Sequence, residues 1–315
     1  MTQPGDTSDS GQAGRQGMPP RAMIATALLC VLFGGNAVAI KFSLTGIGLF
    51  TNIGLRFSIA AVALLLYINW AGKTPRLRTE QVWPLALLAV LFTVQIGGFY
   101  AGLSRTAASH AILISNVLPF VVTILAHYLL AGERIVPRKI VGLLLGFGGV
   151  ALLFGDAAAM SREVLLGDLI IFCSVLVWGC SAILLKRLSA TIHPLALTLY
   201  PMVFSGPFYL ICGWLMDGVM IRSLDSAVLA AMFYQSLITA AFGFVIWNTL
   251  IKNYGASTVH GYVFLMPISG VFLGVLLLGE PLTGNLLGAI ALVTVGLIVQ
   301  HRGKKRVLRP YVEQQ

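Results

Sequence analysis

The sequence predicts an all-α integral membrane protein with ten transmembrane helices, arranged as two inverted five-helix repeats. Hydrophobic residues make up 57% of the 315-residue chain and charged residues only 10%, and the mean hydropathy is +0.89. A soluble domain is about half apolar and a quarter charged, so this much apolar sequence cannot be hidden in one globular core. The spacing of the apolar segments and an internal repeat predict the rest of the architecture.

Apolar stretches long enough to cross a bilayer, which takes about 20 residues, occur ten times between charged or turn-forming residues. The predicted helices are approximately residues 22–42, 47–70, 84–103, 108–131, 138–155, 167–185, 194–216, 227–250, 256–278 and 284–301. Residues 1–21 are rich in Gly, Ser and Pro, which is typical of a disordered segment. Residues 302–315 form a basic tail.

The Lys and Arg residues predict the orientation. If the N-terminus is cytoplasmic, nearly all of the 21 Lys and Arg residues fall on the cytoplasmic side; the exceptions are Lys41, Arg56, Arg105, Arg162 and Arg222. Cytoplasmic loops of membrane proteins carry such an excess of positive charge. The pattern predicts a multi-pass protein of a bacterial inner membrane with both termini in the cytoplasm, which requires an even number of spans.

Several functional classes are disfavoured by composition and motifs. The net charge of +10 lies in loops and the tail, where it reports topology rather than nucleic-acid binding. The four cysteines lie in apolar runs without a CxxC pair, as expected of buried free thiols. The sequence has no HExxH, no GxSxG and no cluster of metal ligands, so we expect no cofactor, no metal site and no enzymatic activity.

The chain repeats itself in the same order at nearly the same offset. "AASHAILISNVLP" (107–119) aligns with "GASTVHGYVFLMP" (255–267), and "FGGNAVAIK" (33–41) aligns with "WGCSAILLK" (178–186). One duplication of five helices explains both matches and gives repeats at 22–156 and 167–301, joined by a periplasmic linker at 157–166. Because five is odd, the second repeat starts on the opposite side of the membrane.

Inverted repeats and broken helices are typical of secondary transporters, whose sites lie near the midplane between the repeats. Pro119 and Pro267 occupy equivalent positions in two antiparallel helices. Proline removes an amide donor and breaks or kinks a helix. The pair therefore predicts symmetric bends beside a shared central cavity.

These motifs, with "GLRFSIAA" in the second helix and "GDLIIFCSVLVWG" at the start of the second half, resemble the EamA family of the drug/metabolite transporter superfamily. The resemblance covers residues 22–301. It implies a ten-helix fold, cytoplasmic termini, and a central cavity lined largely by helices 1, 3, 4, 6, 8 and 9. It also implies transport of small metabolites, often amino acids outward. Helices 5 and 10 are implied to be peripheral, and their glycine spacing suits tight packing.

Arg56 is the strongest candidate for a functional residue. It lies about nine residues into an apolar run, or roughly 13 Å deep at 1.5 Å per residue. A charge near the bilayer centre costs at least about 2.5–3.5 kcal/mol, so it should face a cavity or a partner. No acidic residue lies at matching depth. Two interpretations stay open, a contact with a substrate carboxylate and a structural contact that holds the bundle together.

Other polar and aromatic residues in the predicted spans are candidates for substrate binding. They are Asn36, Gln95, Tyr100, Ser115, Asn116, Trp178, Ser181, Gln235, Trp247 and Tyr262. Alternatives stay open for them. Ser115 and Asn116 could instead satisfy the carbonyls that Pro119 leaves free, and the aromatic residues could belong to interfacial belts or packing.

Four basic residues are candidates for gating or coupling. Lys41 and Lys186 end helices 1 and 6, where snorkelling is the simpler interpretation. His110 and His260 lie in the first turns of helices 4 and 9, where neutral structural imidazoles are favoured and proton coupling is the alternative. We further expect Asp168 to cap helix 6, and Glu133 and Glu280 to anchor turns or interfaces.

The sequence therefore favours a secondary transporter of a small zwitterionic or anionic metabolite, with amino-acid export as the preferred interpretation. Uptake of small organic anions is the runner-up, and an integral-membrane enzyme is a remote alternative. The expected partners are a small-molecule substrate and membrane lipid, with the proton as a candidate coupling ion. Substrate identity, direction of flux, coupling ion and oligomeric state stay open.

Overall fold

The computed structural model describes residues 18–72, 77–130, 135–154, 161–254 and 256–301, and the regular structure in these ranges is entirely helical. The other residues, including Glu133, most of the N-terminal segment and the basic tail from residue 302, lie outside the described residues. The predicted all-α fold is confirmed in the described ranges.

The helices follow the predicted order closely. In the first half they are α1a (Pro20–Gly34), α1b (Asn36–Gly46), α2 (Leu49–Trp70), α3 (Thr79–Leu103), α4a (Ala108–Ser115), α4b (Leu118–Leu129) and α5 (Pro137–Phe154). In the second half they are α6 (Arg162–Leu188), α7 (Pro194–Met216), α8a (Ser226–Phe233), a π-helix (Tyr234–Gly243), α8b (Phe244–Tyr254), α9a (Ala256–His260), α9b (Leu265–Leu278) and α10 (Gly284–His301).

Eight of the described helices are long and apolar enough to cross a membrane, when α1, α4 and α9 are each taken as one helix through their breaks and α8 as one helix through its π-helical part. The protein is therefore a multi-pass membrane protein. The α10 segment counts only as a shorter apolar helix, and α5 is not among the eight. The structure thus supports eight candidate spans and does not confirm the predicted count of ten.

Two helices begin five residues earlier than predicted. Helix α6 starts at Arg162, because the Ser161 hydroxyl accepts a hydrogen bond from the Val164 amide and caps it. Residues 162–166, the last part of the linker predicted at 157–166, are therefore helical. Asp168, predicted to cap this helix, instead lies in its second turn and is completely buried; that prediction was wrong.

Helix α3 starts at Thr79 rather than near residue 84. The side chain of Gln81 accepts from the Arg78 amide at 3.0 Å and donates to the Thr191 carbonyl at 2.8 Å. Pro84 consequently lies inside the helix rather than at its start. Both starts were predicted too late because charged residues lie in these first turns, and charged residues were used to separate the predicted spans.

The chain breaks its helices directly before Pro119 and Pro267. Helix α4 is interrupted at 116–117 and helix α9 at 261–264, and each proline lies in the first turn of the segment that follows. A proline is tolerated there because amides of the first turn lack intrahelical partners. From α10, the Gln300 amide donates to the Pro119 carbonyl at 3.0 Å. This bond ties the second segment of α4 to α10.

Helices from the two halves approach closely at glycines. Between α5 and α10, a Cβ added to Gly142 would lie 2.9 Å from the Gly296 carbonyl oxygen, and one added to Gly149 would lie 3.0 Å from the Ala289 carbonyl oxygen. Small residues allow such backbone contact between membrane helices. The tight packing that the glycine spacing predicted for α5 and α10 is therefore present.

Close contacts at glycines also join three further pairs of helices from opposite halves. In α1 and α9, a Cβ on Gly270 would lie 2.7 Å from the Gly34 carbonyl oxygen. In α3 and α6, a Cβ on Gly167 would lie 2.8 Å from the Gly102 carbonyl oxygen. In α2 and α7, a Cβ on Gly213 would lie 2.8 Å from the Thr51 amide nitrogen. The core of the bundle is thus an interface between the halves.

One end of the bundle is closed by capping carboxylates. Asp217 accepts from the amide of Thr51 at 2.7 Å and from that of Phe50 at 3.2 Å, at the start of α2. Glu280 accepts from the amides of Ala108 and Ser109 at 2.5 and 2.9 Å, at the start of α4a. Carboxylates are favourable at helix N-termini because they meet unpaired amides and the positive end of the helix dipole. Glu280 is therefore an interface anchor between α9 and α4.

Replacing Gly142 by Ala should destabilise the protein by about 1–3 kcal/mol, because the added methyl overpacks against the backbone of α10. The measurement is the thermal unfolding midpoint of the purified protein in detergent. Gly148→Ala, on the same helix, is the matched control, since its Cβ would meet no atom within 4 Å. Equal midpoints for the two variants would contradict close α5–α10 packing.

Candidate functional site

Arg56 lies inside the bundle, about 10 Å from the start of α2 at 1.5 Å per residue, and only 6% of its surface is exposed. Its Nη1 donates to the Tyr100 hydroxyl of α3 at 3.1 Å, and its Nη2 lies 3.5 Å from the Thr239 hydroxyl of the π-helix. The guanidinium carbon lies 5.1 Å from the ring centroid of Phe57. Arg56 therefore joins three helices through side-chain contacts.

Hydrogen bonds extend from Arg56 across the bundle. The Tyr100 hydroxyl donates to Gln235 Oε1 at 2.7 Å. Gln235 Nε2 donates to Ser43 Oγ at 2.8 Å and to Asn52 Oδ1 at 3.1 Å, and Asn52 Nδ2 donates to Ser43 Oγ at 2.7 Å. Thus α1, α2, α3 and α8 meet in one continuous polar network.

Asn36 completes this network, because its Oδ1 lies 3.0 Å from the Thr239 hydroxyl. We call this set the arginine cluster: Asn36, Ser43, Asn52, Arg56, Tyr100, Gln235 and Thr239. Every member except Asn36 is buried. Four of its residues, Asn36, Arg56, Tyr100 and Gln235, are predicted site residues, and each comes from a different predicted span.

The charge of the arginine cluster is not balanced within the part of the chain that the structure describes. All hydrogen-bond partners of Arg56 are neutral, and the ion pair found among the described residues lies elsewhere, between His110 and Asp168. The Nε of Arg56 is buried without a hydrogen-bond partner. A buried cation is costly unless it is paired, so this site is suited to an anion.

The local sequence explains how these side chains meet. Asn52 and Arg56 are four residues apart on α2 and share one face of the helix, as do residues at this spacing in general. Gln235 and Thr239 lie in a π-helix of ten residues, a structure that is rare and is often found at functional sites. Sequence reasoning missed Ser43, Asn52 and Thr239. The four-residue spacing of Asn52 from Arg56 and of Thr239 from Gln235 was the available signal.

Several predicted site residues lie outside the arginine cluster. The Ser115 hydroxyl donates to the Ala111 carbonyl at 2.7 Å, and Asn116 Nδ2 donates to the Ile112 carbonyl at 2.8 Å. Both side chains therefore bind backbone carbonyls of their own broken helix. Gln95 is buried on α3, and its Oε1 has no hydrogen-bond partner.

The predicted aromatic residues are spread over the bundle. The ring of Trp247 makes edge contacts with Phe33 at 5.8 Å and with His260 at 5.4 Å between centroids. On α6, Trp178 is exposed and Ser181 is buried. Tyr262 is half-buried in the break of α9. The structure therefore does not gather these residues, other than Tyr100, around Arg56.

The four basic candidates for gating or coupling occupy different surroundings. Lys41 is half-buried and interacts electrostatically with Glu280. Lys186 is exposed near the end of α6, and His260 is half-buried against Trp247. The Nδ1 of His110 lies 2.8 Å from Oδ2 of Asp168. His110 therefore meets a carboxylate that is completely buried.

The arginine cluster is closed in this conformation, since its central residue is almost fully buried. A small apolar pocket lies nearby between α2 and the π-helix and is lined by Ala63, Leu64, Tyr67, Ala241, Phe242 and Val245. Within the described ranges, no group of three or more His, Cys, Asp or Glu side chains is placed to hold a metal ion.

The sequence pattern of the EamA-like transporter family matches the chain twice, at residues 20–155 and 165–300. The protein therefore belongs to the EamA-like transporter family, within the drug/metabolite transporter superfamily. The family membership that the motifs predicted is confirmed.

Individual relatives agree with this assignment. The uncharacterized transporter YvbV of Bacillus subtilis is 25% identical over 290 residues, covering 90% of this chain and 93% of that protein. A probable amino-acid metabolite efflux pump of Escherichia coli is 27% identical over 286 residues, covering 86% of this chain and 92% of that protein. A solved crystal structure shares the fold with a TM-score of 0.65 and 19% identity, covering 89% of this chain and 96% of that one.

Replacing Tyr100 by Phe should lower the stability by about 1–3 kcal/mol, because Arg56 and Gln235 each lose a buried hydrogen-bond partner. The measurement is the thermal midpoint in detergent. Tyr67→Phe, on α2, removes a hydroxyl for which the described residues provide no hydrogen-bond partner, and it serves as the control. A Tyr100→Phe midpoint equal to that of the control would show that the network does not hold the helices together.

Proposed function

We propose that this protein is a secondary transporter that moves a small carboxylate-bearing metabolite, with an amino acid preferred, by alternating access. The substrate carboxylate binds the guanidinium of Arg56. The observation that carries this proposal is the unneutralised charge of Arg56, which is buried among neutral side chains and has one unpartnered nitrogen. A bound carboxylate would supply the missing counter-charge and could accept two parallel hydrogen bonds from the guanidinium.

Alternating access is supported by the way the halves meet. The family pattern matches each half separately, and close contacts between glycines and the backbone of a neighbouring helix join helices of opposite halves. In a five-helix repeat, α2 corresponds to α7 and α5 corresponds to α10. The two-fold operation of an inverted repeat therefore exchanges the members of each of these two contacting pairs and leaves the pair itself unchanged. Breaks in α1, α4 and α9 provide places where segments can reorient. We therefore retain ten spans in two inverted repeats as part of the proposal.

A zwitterion is compatible with the rest of the arginine cluster. The side-chain oxygens of Asn36 and Thr239 can accept hydrogen bonds from an ammonium group, and Asn36 is the half-buried member through which a ligand could enter. One relative is named a probable amino-acid metabolite efflux pump, which favours export of an amino acid or its derivative.

The runner-up is uptake of a small organic anion. It is favoured by the lack of a carboxylate that could bind an ammonium group beside Arg56 in the described structure. Export of cationic drugs is disfavoured for the same reason. The naming of the relatives as transporters argues against an enzyme.

Substitution of Arg56 should abolish transport of anionic and zwitterionic substrates. Purified protein in liposomes is screened for counterflow with radiolabelled proteinogenic amino acids and small organic acids. Arg56→Gln should then lower the initial rate at least about a hundredfold, since charged hydrogen bonds contribute about 1.5–3 kcal/mol each and two are lost. Arg56→Lys keeps the charge but loses the forked geometry, and should give an intermediate rate.

Arg162→Gln is the matched control, because Arg162 is exposed at the start of α6. It should transport at the parental rate. Normal counterflow in folded Arg56→Gln would make Arg56 a structural residue. Signals from organic acids without any from amino acids would select the runner-up substrate class.

The proposed topology has its own test. In a background without the four native cysteines, Cys is introduced at Glu80 or at Arg162, both of which are exposed near helix starts. A membrane-impermeant maleimide should label the Arg162→Cys variant from outside intact cells, and the Glu80→Cys variant only after permeabilisation. Labelling of both positions from the same compartment would exclude the inverted arrangement of the halves.

A further inference from the structure

A second buried polar site lies at the junction of α3, α4a and α6, apart from the arginine cluster. Asp168 of α6 is 0% exposed. Its Oδ2 lies 2.8 Å from Nδ1 of His110, and its Oδ1 accepts a hydrogen bond from the Thr106 hydroxyl at 2.5 Å. The His110 side chain remains 19% exposed. A buried carboxylate is thus reached from the surface through an imidazole.

The charge of this site depends on one proton. When His110 is neutral, its Nδ1–H can donate to Asp168, and the buried site carries one uncompensated negative charge. A proton added at Nε2 makes an imidazolium–carboxylate pair with no net charge. An uncompensated buried charge is costly, so the two protonation states differ in the net charge that is buried between α4a and α6. Histidine is the side chain best suited to exchange a proton near neutral pH.

Other charged groups surround this end of the bundle. Helix α4a packs against α1b, α3, α5, α6, α9 and α10. From these elements the charged neighbours in the described ranges are Lys41, Arg105 and Glu280, with Arg162 and Glu163 about one and a half turns before Asp168. Glu280 is engaged by the amides of Ala108 and Ser109.

None of these neighbours replaces His110 as the partner of Asp168. Arg105 donates to the Ala101 carbonyl and not to the carboxylate. Helices α5 and α10 contribute no charged group beside the site in their described parts. The imidazole of His110 is therefore the one titratable group in contact with the buried carboxylate in the described structure.

We propose that the His110–Asp168 pair is the proton-binding site that couples substrate transport to a pH gradient, an inference that rests on the proposed transport function. Helix α4a belongs to the first half and α6 to the second, so relative motion of the halves changes the distance between Nδ1 and Oδ2. One proton from the aqueous phase binds Nε2 when the pair is together. When the helices separate, the imidazolium loses its counter-charge and the same proton leaves to the opposite compartment.

The test compares two assays on the same proteoliposomes. The substrate is whichever amino acid or organic acid gives counterflow in the screen, and internal pH is followed with trapped pyranine. Counterflow exchanges substrate without net proton movement, whereas accumulation driven by a pH difference requires coupling. With one proton per zwitterion, a difference of about one pH unit supports about a tenfold substrate ratio. The unsubstituted protein should approach that ratio.

Asp168→Asn keeps the size of the side chain and a hydrogen-bonding oxygen but removes the counter-charge. It should retain counterflow within about twofold and reduce pH-driven accumulation to a ratio near one. His110→Gln should behave in the same way and serves if Asp168→Asn does not fold. Glu163→Gln, which removes an exposed carboxylate from the same helix, is the matched control and should accumulate substrate normally.

Three results would overturn the proposal. The first is full pH-driven accumulation by both Asp168→Asn and His110→Gln. The second is loss of coupling in His260→Gln alone. The third is counterflow without any pH-driven accumulation in the unsubstituted protein. The last leaves the transport function intact. If no substrate gives counterflow, the transport function fails, and infrared difference spectra across a pH step still test the site. A carboxyl or imidazole signal that disappears in both Asp168→Asn and His110→Gln would support proton binding there, and an unchanged signal would exclude it.

Discussion

A buried guanidinium that has no carboxylate partner among the described residues is the constraint on which the centre of this protein depends. Hydrocarbon offers no water, so each polar group inside the bundle must find a partner within the protein or a ligand. Arg56 meets this requirement only in part, through Tyr100 and Thr239, and its Nε is left unpartnered. Four helices are drawn together to supply neutral partners, and the positive charge remains available for an anion.

The way the helices pack makes such a site compatible with movement. Glycines bring backbones of opposite halves into contact, so the halves meet through smooth, closely apposed surfaces. The breaks before Pro119 and Pro267 and the π-helix at Tyr234–Gly243 interrupt the helices that run beside these surfaces. Carboxylates from Asp217 and Glu280 cap helices of the first half from the second. These caps fix one end of the bundle without crossing the arginine cluster.

The arginine cluster and the His110–Asp168 pair lie on different helices. The cluster is built on α1, α2, α3 and α8, whereas the pair joins α4a to α6. Both contain a contact between the halves, since Gln235 and Thr239 in one case and Asp168 in the other come from the second half. A single movement of one half against the other would therefore alter both sites. This shared dependence is the physical basis on which we propose that substrate and proton are coupled.

The sequence by itself determined the membrane-spanning helical class and the family, and it predicted a charge at Arg56 inside the bundle, because apolar runs, repeated motifs and a charge in an apolar run are all visible along the chain. It also placed Asn36, Tyr100 and Gln235 among the candidates. Only the tertiary structure decided that these three join Arg56 while Trp178 and Ser115 do not, and that Asp168 is a buried partner of His110 rather than a helix cap. Which side chains meet depends on helix rotation and on contacts between distant segments, and neither quantity is encoded in local spacing.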